Sequence, residues 1–250
     1  MVDLDLVQAC EERIVNAWPA VDTLLVGDFV LRFAGGYSSR ANSASAIRAG
    51  ARLSEENLDL IEHLYRKAGL PPCLRLTPLC DQSVGAVMAR RGFRLRDRAI
   101  GMVAALDRFV PTSAGRLALS PVPDQAWIRA VSARQTGAKK DADAALAAIV
   151  GRVRLPAAFA TLEAEGRAIG FGMSVAERGM AEIGAIVIDE TLRGRGFGRA
   201  LVGGLMAWAR EQGANQAFLQ VEESNAPAIR TYDALGFREA YRYDTMAKAG

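Results

Sequence analysis

At 250 residues the chain is long for one hydrophobic core and sufficient for two modest domains. Half of it is apolar, 24% is charged and the formal net charge is +3, a soluble globular balance that gives no electrostatic reason to expect nucleic acid or a membrane surface. Acidic Asp3, Asp5, Glu11 and Glu12 stand where a secretory signal would carry base and then an apolar run, and no apolar stretch is long enough to span a bilayer. Cys10, Cys73 and Cys80 have no metal-like spacing and read as reduced, mostly buried thiols of a cytoplasmic protein. His63 is the only histidine and falls on a helical stretch as a surface or boundary residue. A Ser-His-Asp triad, a two-histidine zinc site or a Cys-His dyad therefore has almost nothing to be built from, acid-base chemistry falls to carboxylates, tyrosine, the lone histidine or water, and no metal is expected.

Along the chain, 3–17 has helical apolar spacing and stops at Trp18-Pro19. A strand is expected over 28–34, then a loop at Gly35-Gly36-Tyr37-Ser38-Ser39. Ser54 is placed to cap a helix over 55–67. After Pro71-Pro72 come a strand (73–77), a helix (81–91) and one or two strands (93–106). Pro111 to Gly115 reads as a linker. Beyond it lie a strand (116–120), helices (123–135 and 141–150), and three strands (157–165, 168–177, 180–188) joined by Gly-containing hairpin turns. A helix (198–212), a strand (216–222), a helix (226–235) and a last strand (237–246) follow. The expected class is mixed α/β, a mostly antiparallel sheet flanked by helices.

The halves echo each other. Gly92-Phe93 and Gly236-Phe237 each follow a strand-helix unit, Asp81 precedes Gly92 by the interval that separates Asn225 from Gly236, and Met102 and Met246 trail their glycines equally. A duplicated fold is expected, with domains at 1–112 and 116–250.

The most informative segment runs from Ile186-Val187-Ile188 through Arg193-Gly194-Arg195-Gly196-Phe197-Gly198-Arg199. An apolar strand ends, a glycine-rich loop follows, and an amphipathic helix begins at once. Helix N-termini offer unbonded N–H groups and a positive dipole end, glycines let the main chain approach closely, and the arginines add charge; together these suit a pyrophosphate. A dinucleotide fingerprint fails because Arg199 stands at its third glycine, and a Walker Gly-Lys-Ser/Thr is missing.

This loop resembles the acyl-coenzyme A signature of the GNAT superfamily of N-acetyltransferases, Arg/Gln-x-x-Gly-x-Gly/Ala, with Arg193, Gly196 and Gly198 at its defining positions. A second stretch, Asn225-Ala226-Pro227-Ala228-Ile229-Arg230-Thr231-Tyr232-Asp233-Ala234-Leu235-Gly236-Phe237, is similar to that family's Asn-x-x-Ala-x-x-x-Tyr-x-x-x-Gly-Phe pattern. The resemblance covers about 116 to the C-terminus. It implies two neighbouring strands that splay apart, pantetheine pairing with the backbone of Ile186, Val187 and Ile188, pyrophosphate on the amides of Gly194, Arg195, Gly196, Phe197, Gly198 and Arg199 beside Arg193, and Asn225 near the pantetheine arm. It implies acetyl-CoA as donor cosubstrate and transfer to a primary amine, small molecule or peptide, by direct attack in a ternary complex. Tyr232 is implied as the acid that protonates the leaving thiolate. Met180-Ala181-Glu182-Ile183 resembles the glutamate-bearing strand of histone-acetylating members, which makes Glu182 the base candidate, with Glu222 and Glu223 in reserve. Strand alternation puts Glu182, Gly184, Ile186 and Ile188 on one face, toward the cleft.

The first half lacks this apparatus: Met88 stands where the second half has Tyr232, and Asp81 where it has Asn225. The stretch 33–43 resembles a segment of bacterial tandem GNAT proteins, so the half is expected to be a degenerate GNAT-like domain. It is either a packing partner or part of an acceptor pocket through Tyr37, Arg40 and Asn42. Arg90, Arg91, Arg94, Arg96 and Arg98 read as a solvated face. The alternatives are a non-catalytic acyl-CoA sensor or scaffold, and a protein lysine or N-terminal acetyltransferase; self-association as a homodimer is open.

Overall fold

The computed structural model describes residues 2–107, 114–136 and 141–249. The expected linker at 111–115 lies mostly outside them. The fold is mixed α/β with a mostly antiparallel sheet flanked by helices. The chain divides into two compact units that interleave in sequence: 1–101 with 222–224 and 240–250, and 102–221 with 225–239.

The first unit begins with α1 (Leu4–Ala17), capped by the Asp3 carboxylate accepting from Leu6 N–H at 3.0 Å. Pro19 has no N–H and closes the helix as expected. Strands β1 (Asp22–Val26) and β2 (Phe29–Phe33) form a hairpin, followed by β3 (Ala44–Ala46). Next comes α2 (Glu55–Lys67), with Ser54 Oγ accepting from Asn57 N–H at 3.1 Å as its cap. Strand β4 (Cys73–Leu76), helix α3 (Ser83–Arg90) and strand β5 (Arg94–Ala105) follow. The final strand of the chain, β11 (Arg238–Ala247), pairs antiparallel with β4. The order in this unit is therefore β1-β2-β3-β4-β11. His63 is exposed, Cys10 and Cys73 are buried thiols, and Arg91 spends its charge on exposed Glu55 and Asp59.

The second unit contains β6 (Arg116–Ser120), α4 (Gln125–Thr136), α5 (Ala142–Val150), β7 (Ala157–Ala164), β8 (Arg167–Glu177), β9 (Met180–Ile188), α6 (Phe197–Glu211), β10 (Gln216–Glu222) and α7 (Ala226–Ala234). Its order is β10-β9-β8-β7-β6, antiparallel except for β9 and β10. Helix α6 packs on β7, β8 and β9, and β8 carries Gly172 where a side chain would collide with it. A Cβ on Gly172 would lie 2.7 Å from Ile186 Cδ1 and 3.1 Å from Leu205 Cδ1.

Strand β9 contains a bulge. Its register runs Met173 opposite Gly184 but Phe171 opposite Val187, so Ala185 and Ile186 together face Gly172. Ala185 has φ 55°, unusual for a residue with a Cβ. The Trp127 indole N–H of α4 donates to Gly172 O at 3.1 Å and ties that helix to the irregularity.

Two helix ends have the same geometry. Phe93 N–H donates to Met88 O and Phe237 N–H to Tyr232 O, both at 3.0 Å, around Gly92 (φ 84°) and Gly236 (φ 91°). These are left-handed helix terminators that glycine adopts without a Cβ penalty.

Candidate functional site

Past the pairs Gln216–Met180, Ala217–Ala181 and Phe218–Glu182, β9 and β10 have no further register partners with each other, although β9 continues to Ile188. The parting strands leave the end of β9 with one unpaired edge. Beside it lies a cleft of about 850 Å³, a volume suited to a cofactor-sized ligand. Ile186, Val187, Ile188, Arg193, Gly194, Gly196, Gly198, Arg199, Asn225 and Tyr232 all line it, so residues expected from two separate motifs meet in one place.

The loop forms in steps set by the sequence. Asp189 accepts from Thr191 N–H at 3.0 Å, from Thr191 Oγ1 at 2.7 Å and from Arg167 Nη1 at 2.7 Å, which fixes the exit from β9 as a 3-10 turn over Glu190–Leu192. The Arg167 bond and the two Thr191 bonds hold its carboxyl well below the usual carboxylate range. Gly194 (φ 77°) and Gly196 (φ 84°) then turn the chain through left-handed conformations. Gly196 is the N-cap of α6 and has no side chain to cap with; the first intrahelical bond is Ala200 N–H to Gly196 O at 3.1 Å. The N–H groups of Phe197, Gly198 and Arg199 precede that bond and are the orphan donors of a helix start.

Because the Asp189 bonds need the ionised carboxylate, they persist above about pH 4 and are lost as pH falls through its depressed pKa. Asp189→Ala is expected to weaken binding in the cleft by roughly tenfold while leaving thermal stability near the parent's, since the loop's order, not the core, depends on it. Calorimetric titration at pH 7 checks this.

The cleft is cationic. Arg134, Arg193, Arg199 and Arg230 line it, and Glu190 is the only lining acid among the described residues. Glu190 pairs with Arg134 of α4 and, at 3.5 Å, with Arg193. Arg195 and Phe197 do not line the cleft: Arg195 bonds Glu165 at 3.0 Å and lies 5.8 Å from the Phe197 ring centroid. In an alternating Arg-Gly-Arg-Gly run successive side chains diverge, so only part of the loop can face one ligand. Tyr232 is 8% exposed at the cleft wall, with its ring 6.0 Å from Phe237. Asn225 caps α7 through Oδ1, accepting from Ala228 N–H at 3.3 Å, which leaves its amide N–H groups for the cleft.

Glu182 lies elsewhere. It is fully buried and does not line the cleft. A Cβ on Gly184 would stand 2.5 Å from Glu182 Oε1, so these two share a face, whereas Ile186 sits with Gly172 against α6. The expected alternation of Glu182, Gly184, Ile186 and Ile188 on one face fails because the bulge at Ala185 shifts every later residue to the other side. Arg134, Glu190, Pro227, Arg230 and Thr231 of the cleft were not anticipated; only Arg230, a cation inside the second motif, carried a visible signal. In the first unit, Asn42 accepts from Ala34 N–H (2.7 Å) and Gly36 N–H (2.9 Å) and donates to Ser38 O (2.8 Å), organising its own loop.

The donor set fits coenzyme A: orphan amides and arginines for the pyrophosphate, an unpaired strand edge for pantetheine. Among the described residues no group of three or more His, Cys, Asp or Glu could hold a metal, and no helix is long and apolar enough to cross a membrane. A sheet that opens beside a bulged strand and aims a helix N-terminus into the opening is the fold of GNAT acetyltransferases.

Comparison with known proteins agrees. The family model described as "Probable histone acetyltransferase Rv0428c C-terminal" matches residues 6–246. The chain belongs to this family of GNAT N-acetyltransferases and is an acyltransferase. It is 24% identical over 239 residues to the uncharacterized N-acetyltransferase YobR of Bacillus subtilis (strain 168), covering 94% of this chain and 95% of that one. It is 35% identical over 89 residues to the mycothiol acetyltransferase of Thermobispora bispora, covering 33% of this chain and 30% of that protein. A GCN5-related N-acetyltransferase from Kribbella flavida has the same fold, with TM-score 0.72 at 14% identity over 100% of this chain and 97% of that one.

Proposed function

We propose that the second unit transfers an acetyl group from acetyl-CoA to a primary amine by direct attack in a ternary complex. The observation that carries this reading is the meeting of the glycine loop, the unpaired end of β9 and Tyr232 around one cationic cleft. Acetyl-CoA supplies an activated thioester. The residues of this chain bind, orient and move protons. Orphan amides at the start of α6, with Arg193 and Arg199, hold the pyrophosphate, and the edge of Ile186–Ile188 aligns the pantetheine arm. Tyr232 gives its hydroxyl proton to the departing thiolate. An alkylamine arrives protonated at neutral pH and must lose a proton before attack. The resemblance assigns that proton to Glu182, against its complete burial behind the bulge. No cysteine lies in the loop or along the cleft, in keeping with transfer without a covalent enzyme intermediate.

We read residues 1–112 and 116–250 as two GNAT-like copies, the first without the cofactor loop; the matched endings at Gly92 and Gly236 support this. The family's description favours a protein lysine or N-terminal amine as acceptor, and the mycothiol acetyltransferase relative favours a small molecule. A panel of lysine peptides and free amines distinguishes them.

Tyr232→Phe is expected to lower kcat by roughly 100-fold with acetyl-CoA affinity within about twofold of the parent. Equal kcat in the two proteins removes the acid role. Glu182→Gln in the same assay tests the base assignment: a kcat lowered as far as in Tyr232→Phe keeps Glu182 in the mechanism, and an unchanged kcat takes it out.

A further inference from the structure

The first unit buries a row of polar groups on one sheet face. Register puts Ser45 opposite both Val30 and Arg75, and Arg75 opposite Thr245. Continued one more pair, it sets Ser43 opposite Arg32. Arg32, Ser43, Ser45, Arg75 and Thr245 therefore share a face, and all are at most 2% exposed.

Arg75 is satisfied. Glu11 of α1 chelates it through both carboxylate oxygens, Tyr241 Oη donates to Glu11 at 2.6 Å, and the Tyr243 ring lies 4.1 Å away.

Arg32 is not satisfied. It is 0% exposed, and only Nη1 finds an acceptor, the Trp18 carbonyl at 3.4 Å. Nε and Nη2 have no hydrogen-bond partner among the described residues. These two nitrogens form one edge of the guanidinium, the pair of parallel N–H groups that matches the two oxygens of a carboxylate. Trp18 Nε1, Ser43 Oγ and Ser45 Oγ are buried and likewise lack partners among the described residues. Burial pushes the Arg32 guanidinium down to about 9, which leaves it cationic at neutral pH. Two buried guanidiniums thus face one carboxylate, and that carboxylate is already chelated. A buried cation with an open fork calls for an anion.

We propose that the first unit binds a small carboxylate anion beneath α1, held by the Nε–Nη2 fork of Arg32 with Trp18 Nε1 and Ser43 Oγ as further donors. The anion balances the one positive charge that Glu11 leaves over. Its two oxygens take the fork, and the indole N–H and the hydroxyl can occupy remaining lone pairs. The site lies wholly within the first unit and uses none of the residues assigned to acyl transfer.

Thermal unfolding of the full chain in sodium formate, sodium acetate and sodium chloride at constant ionic strength tests this. The parent is expected to show a saturable rise in Tm with formate and acetate and a flat response to chloride. Arg32→Met should lose the rise. Arg32→Lys, which keeps the charge but not the fork, should weaken formate binding by at least about tenfold and serves if the methionine variant does not fold. Trp18→Phe should weaken it about fivefold. No saturable response, an equal response to chloride, or an unchanged response in either Arg32 variant overturns the proposal.

Discussion

Gly196→Glu is expected to lower acetyl-CoA affinity at least about 100-fold while the protein remains folded. Two physical terms add. Gly196 sits at φ 84°, where a side chain costs about 1–2 kcal/mol. A carboxylate is also set at a helix N-terminus beside the amides of Phe197 to Arg199, where it competes for the same donors and repels phosphate; a further 1–2 kcal/mol, roughly, brings the total to about a hundredfold. Space is not the obstacle, because a Cβ at Gly196 meets nothing within 4 Å. Stability should therefore stay near the parent's, because the free loop relaxes out of the left-handed turn and meets the strain only when it closes on the pyrophosphate. Gly196→Ala carries the strain without the charge and should retain measurable binding. Calorimetry on the three proteins separates the terms. Undiminished binding by the glutamate variant moves the pyrophosphate away from this loop, and with it the proposed reaction.

The largest stability effect is expected in the first unit. Glu11→Ala removes the carboxylate that chelates Arg75 and accepts from Tyr241, leaving Arg75 and Arg32 buried without it. Breaking a buried pair on one side costs about 3–5 kcal/mol, mostly through the uncompensated charge. The double change Glu11→Leu with Arg75→Met should recover much of that loss, since two apolar groups of similar size need no partner. Denaturant titration of the single and double variants measures the difference. A Glu11→Ala protein as stable as the parent would mean that the pair contributes nothing.

The cofactor loop was legible because its requirement is written in residue identity: left-handed turns need glycine, and Gly194 and Gly196 have φ 77° and 84°. The helices were legible where caps and breakers stood, as at Ser54 and Trp18-Pro19. Strand β1 was not. Four of its five residues are exposed on an edge, so burial wrote no alternation into Asp22–Val26. Strand β3 has three small residues, too few for a period. The facing of Glu182 was misread because the bulge depends on Ala185, and an alanine at φ 55° has no sequence signature. Arg134 reaches the cleft through the packing of α4, a long-range fact that spacing cannot show. Arg32, a lone cation inside Phe29-Val30-Leu31-Arg32-Phe33, was visible as an anomaly, but its unpaired fork was not.

The bulge makes β9 two half-strands of opposite phase. Up to Gly184 the even-numbered side chains turn from α6; from Ile186 onward they turn toward it. Ala185 is the extra residue: without it Ile186 alone would oppose Gly172, and Gly184, Ile186, Val187 and Ile188 would alternate while each kept its present face. What the deletion removes is the local kink, and with it the extra length that carries the end of β9 away from β10. Ala185→Gly should keep the bulge and relieve the strain at φ 55°, whereas deleting Ala185 should straighten the strand without turning Ile186 or Ile188 over.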